Sequence, residues 1–126
     1  MSITDKATIL IVEDDNDVRA ITRAILENYG HRVIEAADAV DGLKQLELNT
    51  DIQLLFSDIM MPNGINGFEL AQTARSLRPD LVILLTSGYP ESELSATDSK
   101  QSNHRLLRKP YSAKELIKAI TAMLPA

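Results

Sequence analysis

At 126 residues and 44% hydrophobic content, the chain can build one substantial core and is too short for a second domain of ordinary size. Its 13 Lys and Arg against 18 Asp and Glu leave a net charge of -5, which disfavours nucleic acid as a direct ligand and favours a protein or a small cation. Cys is absent, so disulfides, thiolate metal sites and Cys nucleophiles are excluded, and a reducing compartment suits the composition.

The first apolar run, Ile9 to Val12, does not alternate with polar residues and reads as a strand buried on both faces; it ends in Glu13, Asp14 and Asp15. Asp15 and Asn16 offer N-caps for a helix whose stripe is Val18, Ile21 and Ile25 and whose stop is Gly30 after Tyr29. Val33 and Ile34 mark a second strand, and Ala39, Leu43 and Leu46 a second helix before Asn49. The third run, Ile52 to Phe56, leads into Ser57 and Asp58. Asn66 then caps a helix carrying Leu70, Ala71, Ala74 and Leu77, closed by Pro79. Leu81 to Leu85 form a fourth strand that ends in Thr86, Ser87 and Gly88. Glu91 to Asn103 is polar and Ser-rich, with Leu94 and Ala96 as its apolar residues, and a short or mobile helix is expected there. A weaker fifth strand, Leu106 and Leu107, precedes Lys109 and Pro110. Ser112 with Glu115 spells a capping box, and Leu116, Ile117, Ile120, Met123 and Leu124 share one apolar face. The apolar runs are strand-sized and Met1 to Lys6 lacks a signal-peptide stretch, so a cytoplasmic protein without membrane contact is expected.

Five strands alternating with five helices predict an α/β fold, a doubly wound (βα)5 parallel five-stranded sheet with right-handed crossovers covering both faces. One domain over residues 1–126 is expected, with a core from about residue 7 to about residue 124. Ligands of such sheets bind outside the carboxyl ends of the strands, where strand order reverses. Three carboxylates, a hydroxyl and an ammonium converge on that edge: Glu13, Asp14, Asp58, a choice of Thr86 or Ser87, and Lys109. Carboxylates about 5 Å apart repel by about 3 kcal/mol per pair at an effective dielectric near 20, so a compensating cation is needed. Oxygen-only ligands point to a hard ion, and Mg²⁺ accepts one or two carboxylates, keeps its waters and adds a phosphate oxygen. Such a site beside a Lys and a hydroxyl is an assembly for phosphoryl transfer, with Asp58 as nucleophile and Lys109 neutralising the equatorial oxygens.

Four motifs in order resemble the response-regulator receiver family across nearly the whole chain: Ile9 to Asp15, Leu54 to Pro62, Leu84 to Tyr89, and Arg108 to Tyr111. The resemblance implies a flavodoxin-like sheet of order 2-1-3-4-5, as in the family's chemotaxis member. It implies phosphorylation of Asp58 by the phosphohistidine of a histidine kinase or histidine phosphotransfer protein, or by a small phosphodonor. It further implies Mg²⁺ bound by Asp14, Asp58 and the Met60 backbone carbonyl, with Glu13 acting through water. Lys109 would contact the phosphoryl group, in a Lys-Pro turn with Pro110. For the switch hydroxyl, Ser87 has the usual separation from Lys109 and is favoured, with Thr86 as the alternative. Two departures stand out: the loop Pro62 to Gly67 is one residue longer than the commonest form, and Leu106 occupies a position where many members carry an inward-turning Tyr or Phe. Tyr89 or Tyr111 is the substitute reporter of the switch.

Plainer roles are assigned elsewhere. Asp15 is read as a helix cap, Met61 as a gap filler, and His31 and His104 as ordinary surface residues on the edge away from the site. The rival functions are a degenerate receiver that binds proteins without phosphorylation, an aspartate-nucleophile phosphohydrolase, and a flavin or nucleotide binder. The phosphohydrolase family has a second Asp two residues after its nucleophile, where this chain has Met60. A flavodoxin-type phosphate loop would need Ser, Thr and Gly where Glu13, Asp14 and Asp15 stand. The chain is thus expected to be a signalling switch rather than an enzyme in the ordinary sense, although it catalyses its own phosphorylation and dephosphorylation. Phosphorylation would reorder the loops after the third and fourth strands and bias the surface from Glu91 to Asn103 and the last helix, passing the signal to a downstream protein. The chain is expected to be either a stand-alone receiver or one receiver of a larger regulator or kinase.

Overall fold

The computed structural model describes residues 6–60, 66–87 and 105–124. In chain order these form β1 (Thr8–Val12), α1 (Asn16–Asn28), β2 (Arg32–Ala36), α2 (Ala39–Leu48), β3 (Leu54–Asp58), α3 (Gly67–Leu77), β4 (Val82–Ser87), β5 (Arg105–Arg108) and α4 (Ala113–Met123). All strand pairs are parallel and the order is β2-β1-β3-β4-β5, so the order in which strands are added reverses between β1 and β3. The expected doubly wound α/β sheet is therefore present. Of the predicted helices, the segment from Glu91 to Asn103 lies outside the described residues, as do Met61 to Ile65, Gly88, Tyr89 and His104.

Alternation along the strands divides the core. Leu10, Val12, Leu55, Ile83 and Leu85 face α2 and α3, packing on Ala39, Leu46, Leu70, Ala71 and Ala74. Ile9, Ile11, Leu54, Phe56 and Leu84 face α1 and α4, packing on Leu26, Leu116 and Ile120. Each buried Leu or Ile contributes about 1.5–3 kcal/mol of transfer free energy, which is why both faces of these strands are continuously apolar.

The helix signals hold at the ends and shift at one face. Asp15 caps α1 through Asp17 and Val18, Asp38 caps α2, Asn66 caps α3, and Ser112 with Glu115 forms the full capping box of α4. The stripe of α1 is corrected: Thr22 and Leu26 are its buried residues, and Ile21 is 62% exposed. Burial of Thr22 is possible because its hydroxyl donates to the Val18 carbonyl at 2.8 Å. Leu77 of α3 is likewise half-exposed, since Leu70, Ala71 and Ala74 already fill the contact with the sheet.

His31 is also corrected. It is 5% exposed, and its Nδ1 accepts the Ala7 N–H at 3.0 Å. Gly30, at φ 92°, turns the chain in the left-handed region and delivers His31 beneath the start of β1.

Candidate functional site

The register brings four strand ends to one edge. Val12 pairs with Ser57, Asp58 with Thr86, and Ser87 with Arg108. The residues that succeed these strand ends therefore gather around one crevice, beside the reversal between β1 and β3.

Glu13, Asp14 and Asp58 each place a carboxylate oxygen within 4.8 Å of the others. Glu13 and Asp58 are buried and Asp14 is exposed at the mouth. The Lys109 ammonium bridges the two buried acids, 3.0 Å from Asp58 Oδ2 and 3.4 Å from Glu13 Oε1. Glu13 Oε2 accepts the Asp15 N–H at 3.1 Å, and Asp58 Oδ1 accepts the Met60 N–H at 3.2 Å. The Met60 side chain is half-exposed.

These contacts set the electrostatics. Burial pushes the Glu13 carboxyl above its ordinary value and the neighbouring Asp14 and Asp58 push the same way, against the Asp15 N–H and Lys109. For Lys109, burial alone would lower its value, yet the bonds and charges of Asp58 and then Glu13 prevail and raise it. The ammonium is thus held charged between two acids. An oxygen-only set of three carboxylates, more negative than one Lys neutralises, fits a hard divalent cation.

Thr86 and Ser87 are both buried at the end of β4. The Thr86 carbonyl accepts the Ile59 N–H at 2.9 Å and the Ser87 carbonyl accepts the Lys109 N–H at 2.8 Å, locking β4 to the residues after Asp58 and β5. Thr86 Oγ1 is buried without a hydrogen-bond partner among the described residues. Leu106 packs against the α2–α3 side of the core, so an apolar side chain takes the aromatic's usual position.

Two neighbours of the site carry little or no signal in the sequence. Gly67 opens α3 against the backbone of the acceptor: its N–H donates to the Ile59 carbonyl at 2.8 Å, and a Cβ there would lie 2.5 Å from the Asp58 carbonyl oxygen. Its sole signal is a Gly directly after a cap residue, where helix propensity argues against one. Arg19, on α1, donates to the Glu13 carbonyl at 2.7 Å. Nothing in its spacing marks it.

Beside the pocket, Val18, Ile21, Thr22, Ile25, Pro110 and Tyr111 line a largely apolar groove together with Lys109. The Tyr111 ring stands edge-on to Phe56, with centroids 6.1 Å apart. Burial pushes its phenol up, against a hydrogen bond with Thr22.

A parallel sheet whose strand order reverses, with an acid cluster and a bridging Lys at its carboxyl edge, is the arrangement of a receiver module. The chain belongs to the response regulator receiver domain family, whose profile matches residues 9–121. It is similar to the response regulator receiver protein CpdR of Brucella abortus, 32% identical over 94% of this chain and 97% of that protein. It also resembles the sensor kinase CckA of the same organism, 32% identical over 97% of this chain but spanning 13% of the kinase. Among solved structures, the response regulator TrrA of Thermotoga maritima in complex with Mg²⁺-BeF superposes with a TM-score of 0.82, at 26% identity over 94% of this chain and 99% of that one. Among the described residues, no helix is long and apolar enough to cross a membrane.

Proposed function

We propose that this receiver is a Mg²⁺-dependent phosphoacceptor in which Asp58 carries the phosphoryl group. The observation that carries the reading is the buried Asp58 carboxylate, held 3.0 Å from Lys109 and crowded by Glu13 and Asp14. In the transfer step an Asp58 oxygen forms the bond to phosphorus as the phosphorus–nitrogen bond of the donor phosphohistidine breaks. The electron pair stays on the imidazole nitrogen, which takes up a proton. Lys109 stays within reach of the oxygens that gain charge. Asp14, Asp58 and the Met60 carbonyl would hold the Mg²⁺, with Glu13 behind them, and when bound it supplies charge neutralisation on the phosphoryl oxygens.

Ser87 is the proposed switch hydroxyl. Its carbonyl accepts the Lys109 N–H and ties the end of β4 to the residue that bears the ammonium, so a movement of Lys109 reaches β4 directly. With Leu106 in the aromatic's position, Tyr111 is the ring placed to register that movement, two residues from Lys109 and against Phe56. The groove that Lys109 helps to line is where we place the donor, a histidine kinase or histidine phosphotransfer protein working in the cytoplasm; it shares with the pocket the residue whose ammonium holds the acceptor. Output then goes to a downstream protein, with no direct contact to nucleic acid or membrane.

The test is intact-mass analysis after exposure to acetyl phosphate or phosphoramidate, with and without Mg²⁺, for the natural chain and Asp58→Asn. A labile, metal-dependent phosphoryl adduct absent from the variant supports the reading. No adduct on either chain, with beryllofluoride also without effect, would make this a phosphorylation-independent binding module.

A further inference from the structure

Glu13 is gripped through every polar group it owns. Its N–H donates to the Ala36 carbonyl of β2 at 3.1 Å, Oε2 accepts from Asp15, Oε1 faces Lys109, and its carbonyl accepts from Arg19 at 2.7 Å. Arg19 is itself held on three sides: one terminal nitrogen (Nη1) at the Glu13 carbonyl, Nε 3.1 Å from Glu35 Oε1 on β2, and the other (Nη2) 2.6 Å from Asn16 Oδ1 at the start of α1. Its side chain is 17% exposed, so this fork is largely shielded from competing water. Glu35 is fixed in turn by Arg23, which binds its other oxygen.

The Glu13 carbonyl belongs to the peptide plane that also contains the Asp14 nitrogen and Cα. Fixing that oxygen orients the plane, and with it the directions in which Glu13 and Asp14 leave the backbone toward Asp58. We infer that Arg19 is a positioning residue of the acidic pocket, which aims Glu13 and Asp14 by clamping the carbonyl between them to α1 and β2 and thereby sets the affinity for a divalent cation. Arg19 acts through the backbone that bears two of the pocket's three carboxylates. The inference rests on the Mg²⁺ site proposed above.

The full chain is titrated with Mg²⁺ alone, followed by calorimetry and by amide chemical shifts, for the natural protein, Arg19→Met, Arg19→Lys and Arg23→Met. Arg23→Met is the control, because it also removes a partner of Glu35 and leaves the Glu13 carbonyl bond in place. Loss of a partner that orients a metal ligand weakens affinity by about tenfold or more, so Arg19→Met is expected to bind Mg²⁺ about tenfold more weakly. Arg19→Lys, with a single cationic donor, should recover part of the loss, and Arg23→Met should stay within about twofold of the natural chain. Should Arg19→Met not fold, Arg19→Gln, too short to hold the carbonyl and Glu35 together, takes its place. Equal affinity in the Arg19 variants and the natural chain, or equal loss in Arg23→Met, overturns the inference and leaves the Mg²⁺ reading standing. A natural chain that binds no Mg²⁺ overturns both.

Discussion

Gly67→Ala tests how closely α3 is set against the acceptor. A Cβ at this position would meet the Asp58 carbonyl oxygen at 2.5 Å and the Ile59 Cα at 2.7 Å. Both are backbone atoms, and the Ile59 N–H and carbonyl are already committed, to Thr86 and to Gly67 itself, so neither neighbour yields cheaply. Overpacking of this kind costs about 1–3 kcal/mol. The gain from replacing Gly by Ala in a helix is about 0.5–1 kcal/mol and is smaller in a first turn. The net expectation is a loss of about 2 kcal/mol, which at about 2 kcal/mol/M moves a urea midpoint down by about 1 M. Gly42→Ala is the comparison, because its Cβ would meet the end of a side chain, Val12 Cγ2, at 2.9 Å, and Val12 can shift. Equilibrium unfolding followed by circular dichroism makes both measurements. A Gly67→Ala midpoint equal to or above that of the natural chain would refute the close contact and the placement of α3 that rests on it.

The charges and hydroxyls of the pocket give further expected outcomes. Lys109→Met leaves Glu13 and Asp58 buried without their shared cation and should cost about 2 kcal/mol in urea at neutral pH, besides strongly diminishing small-molecule phosphodonor labelling. Because the folded Glu13 carboxyl sits above its ordinary value of 4.5, only in the window between 4.5 and the raised value does the folded state hold a proton there that the unfolded chain has released. Its contribution is therefore complete below 4.5 and is lost as pH rises through the raised folded value. The stability of the natural chain relative to Glu13→Gln should accordingly be flat below that window and fall across it, and a difference that is the same at every pH would contradict the burial argument. Thr86→Val removes a buried hydroxyl without a partner among the described residues and should raise stability by about 1 kcal/mol while leaving labelling intact. Ser87→Ala should instead slow labelling, and the reverse pattern would transfer the switch role to Thr86.

Much of the fold was legible because a parallel sheet writes itself plainly. Strands buried on both faces must be apolar throughout, so Ile9 to Val12 and Leu81 to Leu85 stand out, and the acids and hydroxyls at their ends mark the functional edge. Caps were legible for the same local reason: Asp15, Asn66 and Ser112 each satisfy N–H groups of their own helix. The phase of α1 was not, because Thr22 reads as polar until its bond to the Val18 carbonyl is seen, while the apolar Ile21 lines a surface groove. His31 was misread because its partner, the Ala7 N–H, lies 24 residues away in sequence. Arg19 and Gly67 escaped for a related reason: each acts on the backbone of another element, and a backbone contact leaves no pattern in side-chain identity.

On the proposed mechanism the phosphoryl group sits on Asp58 and on no other carboxylate of the pocket. Borohydride reduction converts an aspartyl phosphate to homoserine, so the chain is labelled with phosphoramidate in Mg²⁺, reduced, digested and sequenced by mass spectrometry. Homoserine is predicted at position 58 alone, dependent on Mg²⁺ and strongly diminished in Lys109→Met. Homoserine at position 14, or a natural chain whose peptides all retain aspartate, would contradict the claim.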